Sequence, residues 1–81
     1  MGDAMTSDFT TLDATGLRCP LPVLRARKVL RSVPDGGTLS IRTTDPAAPS
    51  DFEAFCRETG HVFIGVEDDG DARVVTLRKA T

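Results

Sequence analysis

The run Arg18-Cys19-Pro20-Leu21-Pro22 constrains the fold of this chain more than any other stretch, because it fixes where a helix can begin. Pro20 suits the first helical position, where its missing N–H would have no intrahelical partner, and Pro22 still falls within the first turn. Ahead of it, Phe9-Thr10-Thr11-Leu12-Asp13 is β-prone and runs into the turn Asp13-Ala14-Thr15-Gly16. Behind it the spacing is helical as far as Val33. Val23, Ala26, Val29, Leu30 and Val33 share one face, and Arg25, Arg27, Lys28 and Arg31 lie on the other. Pro34 and Asp35-Gly36-Gly37 then stop the helix.

The remaining elements follow from the same rules. Thr38-Leu39-Ser40-Ile41-Arg42-Thr43 alternates apolar and polar residues, which predicts a half-buried strand. Asp45-Pro46-Ala47-Ala48-Pro49 reads as a turn. Ser50 with Glu53 three residues on forms a capping box, so a second helix is expected from Ser50 to Thr59, with Gly60 beyond its end and Phe52, Phe55, Cys56 and Thr59 facing inward. Val62–Glu67 and Arg73–Arg78 are expected to pair as a hairpin around Asp68-Asp69-Gly70-Asp71.

The order is therefore β-α-β-α-β-β. Two helices cannot cover both faces of a four-stranded sheet at this length. The expected architecture is an α/β two-layer sandwich: one mixed four-stranded sheet, two helices on one face and the other face open. The first β-α-β unit should place its two strands parallel. Residues 9–79 form a single domain in this reading, and the polar segment 1–8 is expected to be a flexible, frayed tail.

A chain of 81 residues buries only a thin core, so chemistry belongs at a surface thiol or a shallow cleft. Trp and Tyr are absent, and four Phe are too few for a stacking platform that binds single-stranded nucleic acid. The net charge of −2 conceals an asymmetry. Every charged residue from 18 to 31 is basic (Arg18, Arg25, Arg27, Lys28, Arg31), while acids outnumber bases in the rest of the chain. One basic patch on an acidic body favours docking to an acidic protein surface over general attraction to nucleic acid. No apolar run is long enough to span a membrane, and no export signal is evident, so the expected compartment is the reducing cytoplasm, where a structural disulfide is disfavoured.

Cys19 is the candidate reactive residue. A helix start carries partial positive charge, and Arg18, Arg25 and Arg27 are close in sequence, so the thiolate is expected to be favoured. Arg18, Pro20 and Pro22 are assigned as its support. The N–H groups of Leu21 and Val23 are available to point at sulfur, and no acid lies between Asp13 and Asp35 to oppose ionisation locally. Leu21 and Leu24 fall on or beside the basic side of the helix. With Arg25, Arg27, Lys28 and Arg31 they form a candidate docking strip. Cys56 sits mid-helix among Phe residues and reads as a buried, inert thiol. His61 reads as a solvated or locally bonded turn residue. No metal-ligand spacing links Cys19, Cys56 and His61, so neither a metal nor another cofactor is expected.

Leu12-Asp13, Gly16-Leu17, Cys19-Pro20-Leu21-Pro22-Val23-Leu24, the basic helix, and then Asp45 and Asp51-Phe52 with Phe55-Cys56 and Gly60-His61 resemble the TusA (SirA-like) family of sulfur-carrier proteins. The resemblance runs from Phe9 to Lys79. It implies a sulfurtransferase-type relay in which Cys19 accepts sulfane sulfur as a persulfide from a donor such as a cysteine desulfurase or a rhodanese-like protein. The sulfur then passes to an acceptor protein, in tRNA thiolation, molybdenum-cofactor synthesis or sulfur oxidation. Two other readings are open on residues alone. One is a nucleic-acid-binding or regulatory module using the basic first helix, and the other is a thiol-disulfide or peroxide-reducing enzyme using Cys19 with Cys56.

Overall fold

The computed structural model describes residues 9–80; the segment 1–8, expected to be a flexible tail, lies outside the described residues. The elements follow the anticipated order: β1 Phe9–Ala14, α1 Leu21–Leu30, β2 Thr38–Thr43, α2 Ala48–Thr59, β3 Val62–Asp69 and β4 Ala72–Arg78. The four strands form one sheet in the order β1-β2-β4-β3. β1 and β2 are parallel, while β4 is antiparallel to both its neighbours, so the sheet is mixed as expected.

Register explains which side chains meet the helices. Ile41 pairs with Leu12 on one side and Val75 on the other, and Leu39 pairs with Thr10 and Leu77. Because side chains alternate along a strand, these rows fall on one face. Ala14, Leu39, Ile41, Val75 and Leu77 are buried there beneath Ala26 and Leu30 of α1 and Phe52, Phe55 and Cys56 of α2. The opposite face carries Thr11, Ser40, Arg42 and Thr76, none of them buried, and an exposed pair in which Arg42 Nε donates to Asp69 Oδ2 at 3.1 Å. One covered face and one open face make two layers.

The element ends depart from the sequence-based expectation in instructive ways. Pro20 is the residue before the helix rather than its first residue, and Pro22 is in the first turn and fully buried. α1 stops at Leu30 instead of Val33. The chain then tightens through bonds from Arg31, Ser32 and Val33 N–H to the carbonyls three residues back. Pro34 disfavours helical geometry at Val33, yet this tight winding still delivers Val33 to the core.

α2 starts two residues earlier than the capping box suggested. Ser50 caps nothing: its Oγ donates to the Ala47 carbonyl, and the residue before the helix, Ala47, has no side-chain cap bond. Thr59 was expected to face inward but is exposed, its hydroxyl bonded back to the Phe55 carbonyl at 2.7 Å. Gly60 does end the helix, in the left-handed conformation at φ 88° that glycine adopts without a Cβ clash. The hairpin is also tighter than expected, with only Gly70 and Asp71 between β3 and β4. In β3 a register shift between Phe63 and Gly65 leaves Ile64 outside the pairing.

Candidate functional site

Parallel β1 and β2 each lead into a helix, so the two connecting loops lie at the same end of the sheet. That placement builds the site. After β1, the Asp13 carboxylate accepts from the backbone N–H and hydroxyl of Thr15 at 3.0 and 2.7 Å, which holds its pKa below the ordinary carboxylate value. Gly16, at φ 82°, lets the chain reverse so that Leu17 N–H reaches the Ala14 carbonyl at 3.2 Å. Gly16 N–H then donates to Thr44 Oγ1 at 2.9 Å, tying this loop to the one after β2.

Cys19 is held by the same second loop. Its N–H donates to Asp45 Oδ2 at 2.6 Å, a short charge-assisted bond. The other oxygen of that carboxylate accepts from Ala47 N–H at 3.2 Å, and the Asp45 N–H donates to Thr43 Oγ1 at 3.2 Å. The Cys19–Pro20 peptide is cis, and Leu21 N–H donates to the Arg18 carbonyl at 2.7 Å, so Cys19 and Pro20 are the central residues of a closed turn. The buried Pro22 anchors that turn in the core. Its role is packing.

The Cys19 thiol is exposed and lines a shallow groove of about 230 Å³ between the helices. Val23, Arg27, Asp51, Ala54, Phe55 and Glu58 complete the groove with Cys19 and Pro20. Here the structure corrects the sequence-based electrostatics. Asp51, which lines the groove with it, raises the thiol pKa most, followed by desolvation and the negative charge of Asp45. The groups that move it are acids from the far side of the chain, not the arginines close in sequence. Leu21 N–H, expected to be free for the sulfur, is occupied by the Arg18 carbonyl. Arg18 itself lines a separate depression with Gly16, Leu17, Thr44, Asp45 and Pro46.

The candidate docking residues divide. Leu21, Leu24, Arg25, Lys28 and Arg31 are all exposed, and the helical spacing puts them on one outward face, with Leu21 47% and Leu24 53% accessible. Arg27 turns to the α2 side, its guanidinium carbon 5.7 Å from the centre of the Phe55 ring. Cys56 is buried, as expected, and burial pushes its thiol pKa up. His61 is locally bonded. Its Nδ1 accepts from Ala80 N–H at 3.0 Å, so that nitrogen is not free to act as a base.

Asp45 and Asp51 are the site residues that residue chemistry alone did not single out. The available signal was topological: two strand-to-helix loops at one end of parallel strands must face each other. Among the described residues, no helix is long and apolar enough to cross a membrane.

Comparison with known proteins agrees with this geometry. The crystal structure of a SirA-like protein from Desulfitobacterium hafniense superposes with a TM-score of 0.76 at 26% identity, covering 89% of this chain and 99% of that one. The sulfur carrier protein TusA of Allochromatium vinosum is 44% identical over 69 residues, spanning 85% of this chain and 91% of the relative. A Neisseria meningitidis serogroup A protein whose name assigns it as a sulfur carrier is 53% identical over 70 residues, spanning 85% of this chain and 95% of its own length. Residues 10–79 match the family model described as Sulfurtransferase TusA, and with these likenesses the chain belongs to the TusA family of sulfur carriers.

Proposed function

We propose that Cys19 carries sulfane sulfur as a persulfide between a donor protein and an acceptor protein. The observation that supports this most directly is the placement of the thiol. Cys19 is exposed, lines an open groove, is pinned through its backbone, and precedes in sequence an outward strip of leucines and basic residues. A relay needs an accessible sulfur and surfaces on which partners can dock. It does not need an enclosed substrate pocket.

Loading is a sulfur exchange with no net redox change. The Cys19 sulfur, as thiolate, attacks the terminal sulfur of a donor persulfide R–S–SH, the donor S–S bond breaks, and R–S⁻ leaves and takes up the proton Cys19 gave up. Unloading repeats the step in the other direction: an acceptor thiolate attacks the outer sulfur of Cys19–S–SH, and Cys19 leaves as thiolate. The donor suggested by the family is a cysteine desulfurase or a rhodanese-like protein. The acceptor could serve tRNA thiolation, molybdenum-cofactor synthesis or sulfur oxidation. Thiols must be reduced on both sides of the exchange, which fits the cytoplasm.

Intact mass after incubation with a cysteine desulfurase and cysteine tests this. The expected product carries one added sulfur that reductant removes; Cys56→Ser loads normally and Cys19→Ser does not. Sulfur uptake by Cys19→Ser equal to that of the unaltered protein would falsify the assignment.

A further inference from the structure

Four basic side chains that are far apart in sequence line one pocket of about 360 Å³: Arg27 and Arg31 of α1, His61 after α2, and Lys79 after β4, with Leu30 and Thr59 completing it. No acid lines it. Glu58 lines the groove at Cys19, which shares Arg27 with this pocket. Among the described residues the ion pairs join Arg42 to Asp69 and Arg73 to Asp68, so none of these cations is paired within the chain. Three of the four are held in place. The Arg27 guanidinium carbon and the His61 ring centre each lie 5.7 Å from the centre of the Phe55 ring. Lys79 Nζ donates to the Val33 carbonyl at 2.8 Å, which uses one of its three hydrogens. Because His61 Nδ1 accepts from Ala80 N–H, the neutral ring carries its hydrogen on Nε2 and keeps a donor there.

Cations often complement helix C-termini, and both helices end at this pocket. Those termini are already partnered. The carbonyls of Lys28, Val29 and Leu30 accept from Arg31, Ser32 and Val33 N–H, that of Phe55 from the Thr59 hydroxyl, and that of Cys56 from Gly60 N–H. Of the basic side chains, Lys79 alone bonds a carbonyl among the described residues. Three permanent like charges in one pocket repel one another unless an anion shares it. We propose that this pocket binds a dianionic tetrahedral oxyanion of the phosphate or sulfate type. A lone carboxylate offsets one charge of the three. A dianion with oxygens on every side instead meets donors that converge from α1, the turn after α2 and the end of β4. Nucleic acid is a poorer fit, because the chain has no Trp or Tyr on which to stack bases.

The test is a titration of the full chain with inorganic phosphate, followed through backbone amide NMR signals at fixed pH and ionic strength. Saturable shifts are expected at Arg27, Arg31 and His61, reversed by competing sulfate and not produced by chloride. Arg31→Gln should weaken phosphate binding several-fold, whereas Arg25→Gln, which removes a charge of the same helix outside the pocket, should leave it unchanged. Arg31 is exposed and outside the core, and the spectrum of each variant itself reports whether it is folded. Glycerol phosphate, run in parallel, distinguishes the source of the oxyanion: tighter binding than phosphate supports an organic phosphate as the occupant, and equal or weaker binding supports the free ion. Shifts that chloride reproduces, or that Arg25→Gln weakens as much as Arg31→Gln, reduce the pocket to general charge and overturn the inference. A short poly-glutamate peptide that moves these signals where phosphate moves none overturns it in favour of an acidic protein segment. No sulfur chemistry enters the titration, so its result is independent of the loading experiment.

Discussion

Asp45 joins two functions in one side chain: it holds the Cys19 backbone through Oδ2 and begins the turn into α2 through Oδ1. Both bonds are charge-assisted, but the site is open to water, so their loss is partly repaid by hydration. Asp45→Ala should therefore lower unfolding free energy by about 1–2 kcal/mol, read from urea denaturation. Sulfur loading of Cys19 should slow in the same variant, because the sulfur is then held less firmly. Cys56 belongs to the same scale but titrates for a different reason. Burial raises its thiol pKa, so the folded state holds that proton more tightly than the unfolded chain does. Its stabilising contribution is intact below the unfolded thiol value of about 8.5 and is lost as pH rises through the raised folded value. Urea midpoints measured above about pH 8.5 should fall less steeply with pH in Cys56→Ala than in the unaltered protein.

Among the elements, α2 contributes most to both core and site. Its buried face carries Phe52, Phe55 and Cys56, and its groove face carries Asp51. Phe52 is fully buried, and Phe52→Ala should cost about 3–5 kcal/mol by urea denaturation. That is a large part of the 5–15 kcal/mol on which small domains rest. Ser50→Ala offers the contrast. The sequence pattern marks Ser50 as a cap, whose removal typically costs about 1 kcal/mol. In the structure its hydroxyl donates to Ala47 O and satisfies no helix N–H, so the expected change is within about 0.5 kcal/mol. The two substitutions separate a helix fixed by its apolar face from one fixed by its cap.

At the scale of the molecule, basic residues gather on the outward face of α1 beside the thiol, while the groove between the helices is lined partly by acids. A partner that reaches Cys19 therefore passes two surfaces of different character. Leu21 and Leu24 stand exposed among Arg25, Lys28 and Arg31, and replacing both leucines by Asp removes apolar contact area and adds like charge against an acidic partner. Loading by a desulfurase at sub-saturating concentration should fall several-fold in this double variant. The urea midpoint should stay close to that of the unaltered protein, since neither side chain belongs to the core.

The sequence by itself determined the element order, the mixed sheet with one covered face, the exposure of Cys19 and the burial of Cys56. Those properties rest on local rules: proline at a helix start, glycine past a helix end, alternation in strands and helical spacing of apolar residues. It misplaced both ends of α1 and the start of α2, because capping patterns compete with loop contacts such as those of Asp45. It also mistook the charge around the sulfur. Chain neighbours of Cys19 are arginine and proline, but Asp45 and Asp51 are 26 and 32 positions away in sequence and meet it only once β1 and β2 pair in parallel. Electrostatic effects follow distance in space, which the strand pairing sets. The sequence thus placed Cys19 at an exposed edge, and the tertiary structure decided that its neighbours are acids.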